Sequence, residues 1–335
     1  MATLSEIAKA AGVDVSTASR ALNGTGRVHF ETREKVVEVA KKLEYYSNRM
    51  DIKYSNKLMK TIAIICADAK CQATSEIIEV MQERLQAAGY FALSGNASFH
   101  AENLRRYMDI FEEAGVDGIV LVATSQKGLK HYLENFKKKN DLPVIQVVPL
   151  YESSIYDYVK VDAVQAAEMA MEHLIDFGHK RIAFIGEEST DLRHECYCQM
   201  MKKHNLPLRE EYIMVSNMRY EKAGYLACTK LLDSKEPPTA IFSAYDDLAI
   251  GAMRAIYESG LSIPEDISII AIDNITISSY LYRALTTVSA PIYEVGVIAS
   301  KIILSKLHDR TLRAIQHVSI KPELYMRETV AKPKC

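Results

Sequence analysis

Five polar residues with the chemistry to read nucleic acid lie close together near the start of the chain. In VSTASRALN, residues 15–23, these are Ser16, Thr17, Ser19, Arg20 and Asn23. Hydroxyls and a carboxamide both donate and accept, and one guanidinium adds a fork of donors. With no acid among them, this set suits base edges and phosphates in a major groove. Val15, Ser16 and Arg20 are expected to read bases, while Asn23, Thr32 and Arg33 hold phosphates. A second set comprises Arg193, Asp246 and Asp273, which follow the apolar runs RIAFIG, TAIFSA and ISIIAI. A guanidinium donates and a carboxylate accepts hydroxyl hydrogens, so together they suit a polyol, a sugar or a nucleoside-like ligand. An Asp at a strand-to-helix turn also caps helices. For Asp246 both roles stand open; for Arg193 and Asp273 ligand contact is the expectation.

Other chemistry finds little support. His194, Cys196, Cys198 and His204 have metal-ligand types, but their segment reads as a helix that sends the two Cys to different faces. No metal site is expected. No nucleophile elbow of the G-x-S-x-G kind occurs, so no catalytic residue and no enzyme is expected. AFIGEES has one Gly after its strand, so the phosphate-cradling G-x-G-x-x-G is missing and no cofactor is expected. The six Cys form no C-x-x-C pair, and a chain this long does not need disulfide staples. No apolar run is long enough to span a bilayer and no signal peptide precedes the first motif, which points to the cytoplasm.

Periodicity shows what must position these residues. Leu4, Ile7, Ala8 and Ala11 share one helix face, Thr3 and Glu6 make a capping box, and Gly12 turns the chain. Asp14 caps a second helix whose Ala18 and Leu22 face inward. Val36, Val39, Ala40 and Leu43 mark a third. Residues 1–60 hold 11 Lys/Arg against 7 Asp/Glu, a net of +4; the remainder holds 30 against 36, a net of −6. A basic arm on an acidic body fits local contact with DNA. From Thr61 apolar runs alternate with amphipathic segments. Strands are expected near 61–67, 90–95, 117–123, 143–148, 158–161, 181–186, 212–215, 239–244 and 267–272. Helices fall between them, near 74–88, 101–114, 126–139, 163–177, 190–204, 220–234 and 246–259. Such alternation means parallel sheets covered on both faces, and two series mean two doubly wound subdomains. Ligands bind such sheets beyond the carboxyl ends of the strands, which puts the second set in a cleft.

The segment TLSEIAKAAGVDVSTASRALN resembles the headpiece of the LacI/GalR family of bacterial transcription regulators, and VHFETREKVVEVAKKLEYYSN continues the match. Further along, VDGIVLVA, EHLIDFGHKRIAFIG, PPTAIFSAYDDLAIGAMRAIYESGLSIPEDISIIAIDN and PELYMRET stand in family order. The resemblance implies a small all-α helix-turn-helix headpiece and an α/β body of two doubly wound parallel-sheet subdomains, similar to type I periplasmic binding proteins. It implies a headpiece at 1–48, a hinge at 49–60, one subdomain from 61–161 plus 291–320, and another from 162–290 plus 321–330. Leu4, Thr17, Ser19, His29, Asn48 and Tyr54 complete the expected DNA-facing set. Arg193 matches the Arg that family members use on effectors, Asp68 joins it from the first strand-helix loop, and Tyr220 and Tyr245 are candidate stacking faces.

Several positions depart from the family. Ala73 and Thr74 stand where an aromatic pair is usual, Val148 and Pro149 where Asp or Asn and Arg are frequent, Tyr245 for an Asn, and Arg219 for a Phe or Trp. In the hinge, Asp51 and Tyr54 take the usual Ala and Leu places, with Leu58 a substitute wedge in another register. The expected function is a sequence-specific repressor controlled by a small hydroxyl-rich effector such as a sugar. It is expected to bind a pseudo-palindromic double-stranded DNA operator as a homodimer, with no membrane partner. The alternatives are a cytosolic solute-binding module without specific DNA binding, and control by a protein coregulator.

Overall fold

The structure is a computed structural model that describes residues 3–23, 28–43, 60–124, 128–149, 154–289, 291–309 and 311–334. The hinge positions, with Asn48, Asp51, Tyr54 and Leu58, lie outside the described residues, as does the side chain of Asn23.

Three helices form the amino-terminal unit: α1 (Leu4–Ala11), α2 (Val15–Asn23) and α3 (Phe30–Lys42). Its core is built mostly of small residues: Ile7, Ala8, Ala11, Ala18, Ala21, Leu22, Val36, Val37 and Ala40. Alanines let the short helices approach closely, so a unit of this size can bury its apolar stripe. Val37 takes the core place expected of Leu43. Helix α3 stops at Lys42, and Leu43 beyond it is exposed.

In the body the first series runs β1 (Lys60–Cys66), α4 (Gln72–Ala87), β2 (Tyr90–Asn96), α5 (Ala101–Ala114), β3 (Gly118–Val122), α6 (Lys130–Lys139), β4 (Val144–Val147) and β5 (Asp157–Val161). The second runs α7 (Ala163–Asp176), β6 (Ile182–Glu187), α8 (Asp191–Lys203), β7 (Ile213–Ser216), α9 (Tyr220–Leu232), β8 (Ala240–Ser243), α10 (Asp246–Glu258), β9 (Ser268–Ile272) and β10 (Thr286–Ser289). Then come α11 (Ile292–His308), β11 (His317–Ile320) and β12 (Glu323–Tyr325). The strand orders are β11-β5-β4-β3-β1-β2 and β12-β10-β9-β8-β6-β7.

The continuous apolar strands explain the covered sheets. Alternate residues of β1 feed opposite cores: Ile62 and Ile64 meet Met81, Leu85, Ala299 and Ile303, while Ala63 and Ile65 meet Leu104, Met108 and Phe136. Both faces therefore need helices. The chain passes between sheets three times. Helix α7 packs on the second sheet directly after β5, α11 returns to the first sheet after β10, and β11 and β12 belong to different sheets. β12 runs antiparallel to β10, the one antiparallel pairing among the described residues. A strand of three residues carries too little pattern to reveal its direction in the sequence.

Helices α9 and α10 touch backbone to backbone. A Cβ on Gly224 would lie 1.9 Å from the Leu248 carbonyl oxygen, and one on Gly251 would lie 1.8 Å from that of Glu221. Only glycine permits this approach. No described helix is long and apolar enough to cross a membrane. No group of three or more metal-ligating side chains converges among the described residues.

Candidate functional site

The amino-terminal unit presents α2 as its polar face. Thr3 and Glu6 form the capping box of α1: the Thr3 N–H donates to Glu6 Oε2 at 2.6 Å and the Glu6 N–H to Thr3 Oγ1 at 3.4 Å. Gly12 ends α1 at φ +69°, a left-handed conformation that leads directly into α2. Asp14 caps α2. Its carboxylate accepts from the Thr17 N–H at 2.8 Å and from the Ser16 and Thr17 hydroxyls, each at 2.6 Å. These bonds hold the Asp14 carboxyl far below the usual carboxylate range. Thr17 thus serves the helix start and is half-buried, as is Ser19. Val15, Ser16 and Arg20 stand exposed, and Arg20 Nη2 reaches Ser16 Oγ at 3.4 Å. Leu4 is half-buried against the headpiece core. His29 is exposed and Thr32 half-buried, while Arg33 Nε is buried without a partner.

The second set gathers where the second sheet faces the first subdomain. Arg193, in the first turn of α8, donates to the Ala244 carbonyl and, at 3.3 Å, to Asp273 Oδ1. Asp273 sits at φ +118° and Asn274 at +54°, strained backbone at the end of β9. Burial pushes the Asp273 carboxyl up, and the Arg193 charge pulls it back. Tyr220 crosses between subdomains, donating its hydroxyl to Asp68 Oδ2 at 2.6 Å. Its N–H donates to the Tyr245 hydroxyl at 3.0 Å.

Two of the candidate effector residues are engaged within the protein itself. Asp246 is fully buried, and its carboxylate accepts from the Ile275 N–H at 3.0 Å and from the Ser278 and Thr287 hydroxyls at 2.6 Å each. Three internal donors engage both of its oxygens, so it pins the 275–278 turn to β10. Tyr245 is 6% exposed and meets Tyr220 edge-on at 6.3 Å, so it offers no open ring face.

Residues 3–48 match the family model of bacterial regulatory proteins of the LacI family, and residues 171–330 match the periplasmic binding protein-like domain. The HTH-type transcriptional repressor PurR of Erwinia tasmaniensis is 31% identical over 336 residues, covering 99% of this chain and 97% of its own length. The chain belongs to the LacI family. Its body resembles a LacI family regulator from Enterococcus faecium solved with bound ribose, at TM-score 0.72 and 26% identity over 82% of this chain and 100% of the other. The lac repressor dimer bound to operator shares the fold, at TM-score 0.71 and 22% identity over 98% of this chain and 99% of the other. As a LacI-family member the protein is a DNA-binding transcription regulator with a helix-turn-helix headpiece.

On this LacI-type body four further residues line the cleft that sequence reasoning did not choose. Glu187 ends β6 and is 4% exposed; its Oε1 accepts from Ser189 Oγ at 2.5 Å and from Arg219 Nη1 at 2.6 Å. The Arg219 guanidinium lies 3.4 Å from the ring centroid of Phe99, across the cleft. Asp247, beside Asp246, is 6% exposed and its Oδ2 finds no donor. The position of Glu187 at a strand's carboxyl end was a usable signal. Nothing in the sequence separates Asp246 from Asp247.

Burial, then the charges of Asp273 and Glu221, push the Asp247 carboxyl up to about 7, against about 3.9 in an unfolded chain. The folded state therefore holds this proton more tightly. Its contribution to stability is intact below about pH 4 and is lost as pH rises toward 7. Asp247→Asn removes that loss. The variant is expected to melt with the parent at pH 4 and roughly 5 °C above it at pH 7.5. Scanning calorimetry across this range checks it; a variant no more stable at pH 7.5 contradicts the assignment.

Proposed function

We propose that the protein is a homodimeric repressor that binds a pseudo-palindromic operator and is released or recruited by a small hydroxyl-bearing effector in the cleft. The observation that carries this is the acid-free outer face of α2, with Val15, Ser16 and Arg20 exposed, on the same chain as a two-subdomain cleft lined by Arg193, Asp273, Asp68 and Tyr220. The repressor reading also follows the PurR relative, and the effector reading the ribose-bound neighbour. We assign base contact to Val15, Ser16 and Arg20, and phosphate contact to Thr32, Arg33, His29 and Asn23. Leu4, Thr17 and Ser19 shape the face, and Asn48 and Tyr54 follow from the hinge. The division proposed is headpiece 1–48, hinge 49–60, and subdomains 61–161 plus 291–320 and 162–290 plus 321–330. Exposed Ile277, Tyr280 and Tyr282 form the face proposed for the second copy.

Selection of genomic fragments by the full-length protein, followed by footprinting at fixed salt, tests this. A protected site with two-fold symmetry is expected, and a sugar panel should shift its affinity. Binding that shows no sequence preference over competitor DNA would leave a solute-binding module instead.

A further inference from the structure

We propose that the cleft takes a small ligand that carries a protonated amine beside its hydroxyl groups. This deepens the effector reading and rests on it. Asp247 Oδ2 is a buried carboxylate oxygen with no donor, and Glu187 Oε2 makes no hydrogen bond of ordinary length although the Tyr245 hydroxyl stands beside it. Asp247 stands in the first turn of α10, at the carboxyl end of the second sheet. The Cys71 thiol of the first subdomain is pushed up by burial, then by Asp273, and also by Asp247. Glu187 is fixed by Ser189 and Arg219, with the Tyr245 hydroxyl beside it.

The charges do not balance. Among the described residues Arg193 pairs with Asp273 and Arg219 with Glu187, while no basic side chain pairs with Asp68 or Asp247. Both guanidiniums are already committed, Arg193 to Asp273 and the Ala244 carbonyl, Arg219 to Glu187 and the Phe99 ring. A neutral sugar supplies donors but does nothing to favour the charged form of Asp247, whose carboxyl burial pushes up to about 7. An ammonium group supplies donors and charge together, and charge-assisted bonds are the stronger kind. A bare metal ion lacks its cage, since no group of three or more ligating side chains converges among the described residues. The required cation is therefore organic.

Isothermal titration of the full-length protein at pH 7 tests this with matched pairs: glucosamine against glucose, and galactosamine against galactose. N-acetylglucosamine serves as the uncharged control. At least one amine is expected to bind ten-fold or more tighter than its neutral partner, with the N-acetyl compound falling back. Asp247→Asn and Glu187→Gln, each confirmed folded by its melt, should each cut the amine-to-neutral ratio about ten-fold, or roughly 1.4 kcal/mol. Equal or tighter binding of the neutral sugars overturns the inference and leaves the effector reading in place. So does a preference that survives both substitutions. Silence of the whole panel, in titration and in operator release alike, overturns both.

Discussion

Asp246→Ala should lower the melting temperature of the body by roughly 10 °C. The carboxylate is fully buried and receives three donors, the Ile275 N–H and the hydroxyls of Ser278 and Thr287. Alanine leaves all three buried without an acceptor, at about 1–3 kcal/mol each, and such losses within one network do not simply add. Relief of the buried charge offsets part of this, because burial and the nearby Asp273 push Asp246 up to about 7. A net loss of roughly 3 kcal/mol remains. Asp246→Asn keeps an acceptor for two of the donors and should lose about a third as much. Thermal melts of the two variants decide it. An Ala variant that melts with the parent would show that the turn at 275–278 holds without this residue.

Arg20→Ala should weaken operator binding about 5- to 150-fold, the effect of roughly 1–3 kcal/mol, and relax selectivity at one position of each half-site. Arg20 is exposed on α2, and its contact to Ser16 at 3.4 Å is long and easily surrendered to a base. Fluorescence anisotropy with operator variants at fixed salt measures both quantities. If affinity falls equally for every sequence and only the salt dependence flattens, Arg20 holds phosphate rather than a base.

Much of this architecture was legible because one physical signal runs through it. Apolar runs such as Ile62–Ile65 must be covered on both faces, so strand, helix and layer follow from the same residues. The headpiece was legible through its caps: Thr3, Gly12 and Asp14 perform the local hydrogen bonding that their types suggest. The sequence was weaker wherever an outcome turned on a single side-chain direction. Asp246 and Asp247 are adjacent acids, yet one turns inward to three donors and the other keeps a buried oxygen without any. Thr17 has the chemistry of a base reader, but Asp14 claims its hydroxyl. Tyr245 has the chemistry of a stacking ring, but a neighbouring amide claims its hydroxyl and the core claims its face. Arg219 departs from the family's usual aromatic, and only the fold shows that it brings its guanidinium to the aromatic ring of Phe99 instead.

The glycine contact between α9 and α10 bears on how fast a ligand can come and go. Gly224 and Gly251 seat each helix on the other's carbonyls, so neither can slide or tilt alone. Arg219 and Tyr220 stand at the start of one, Asp247 at the start of the other. No local swing of α9 can open a side door while α10 stays in place. Arrival in a closed cleft should then wait for the subdomains to part, and chemically different ligands should share that waiting time. Association rates should then converge on one opening rate, leaving dissociation rates to separate good ligands from poor ones.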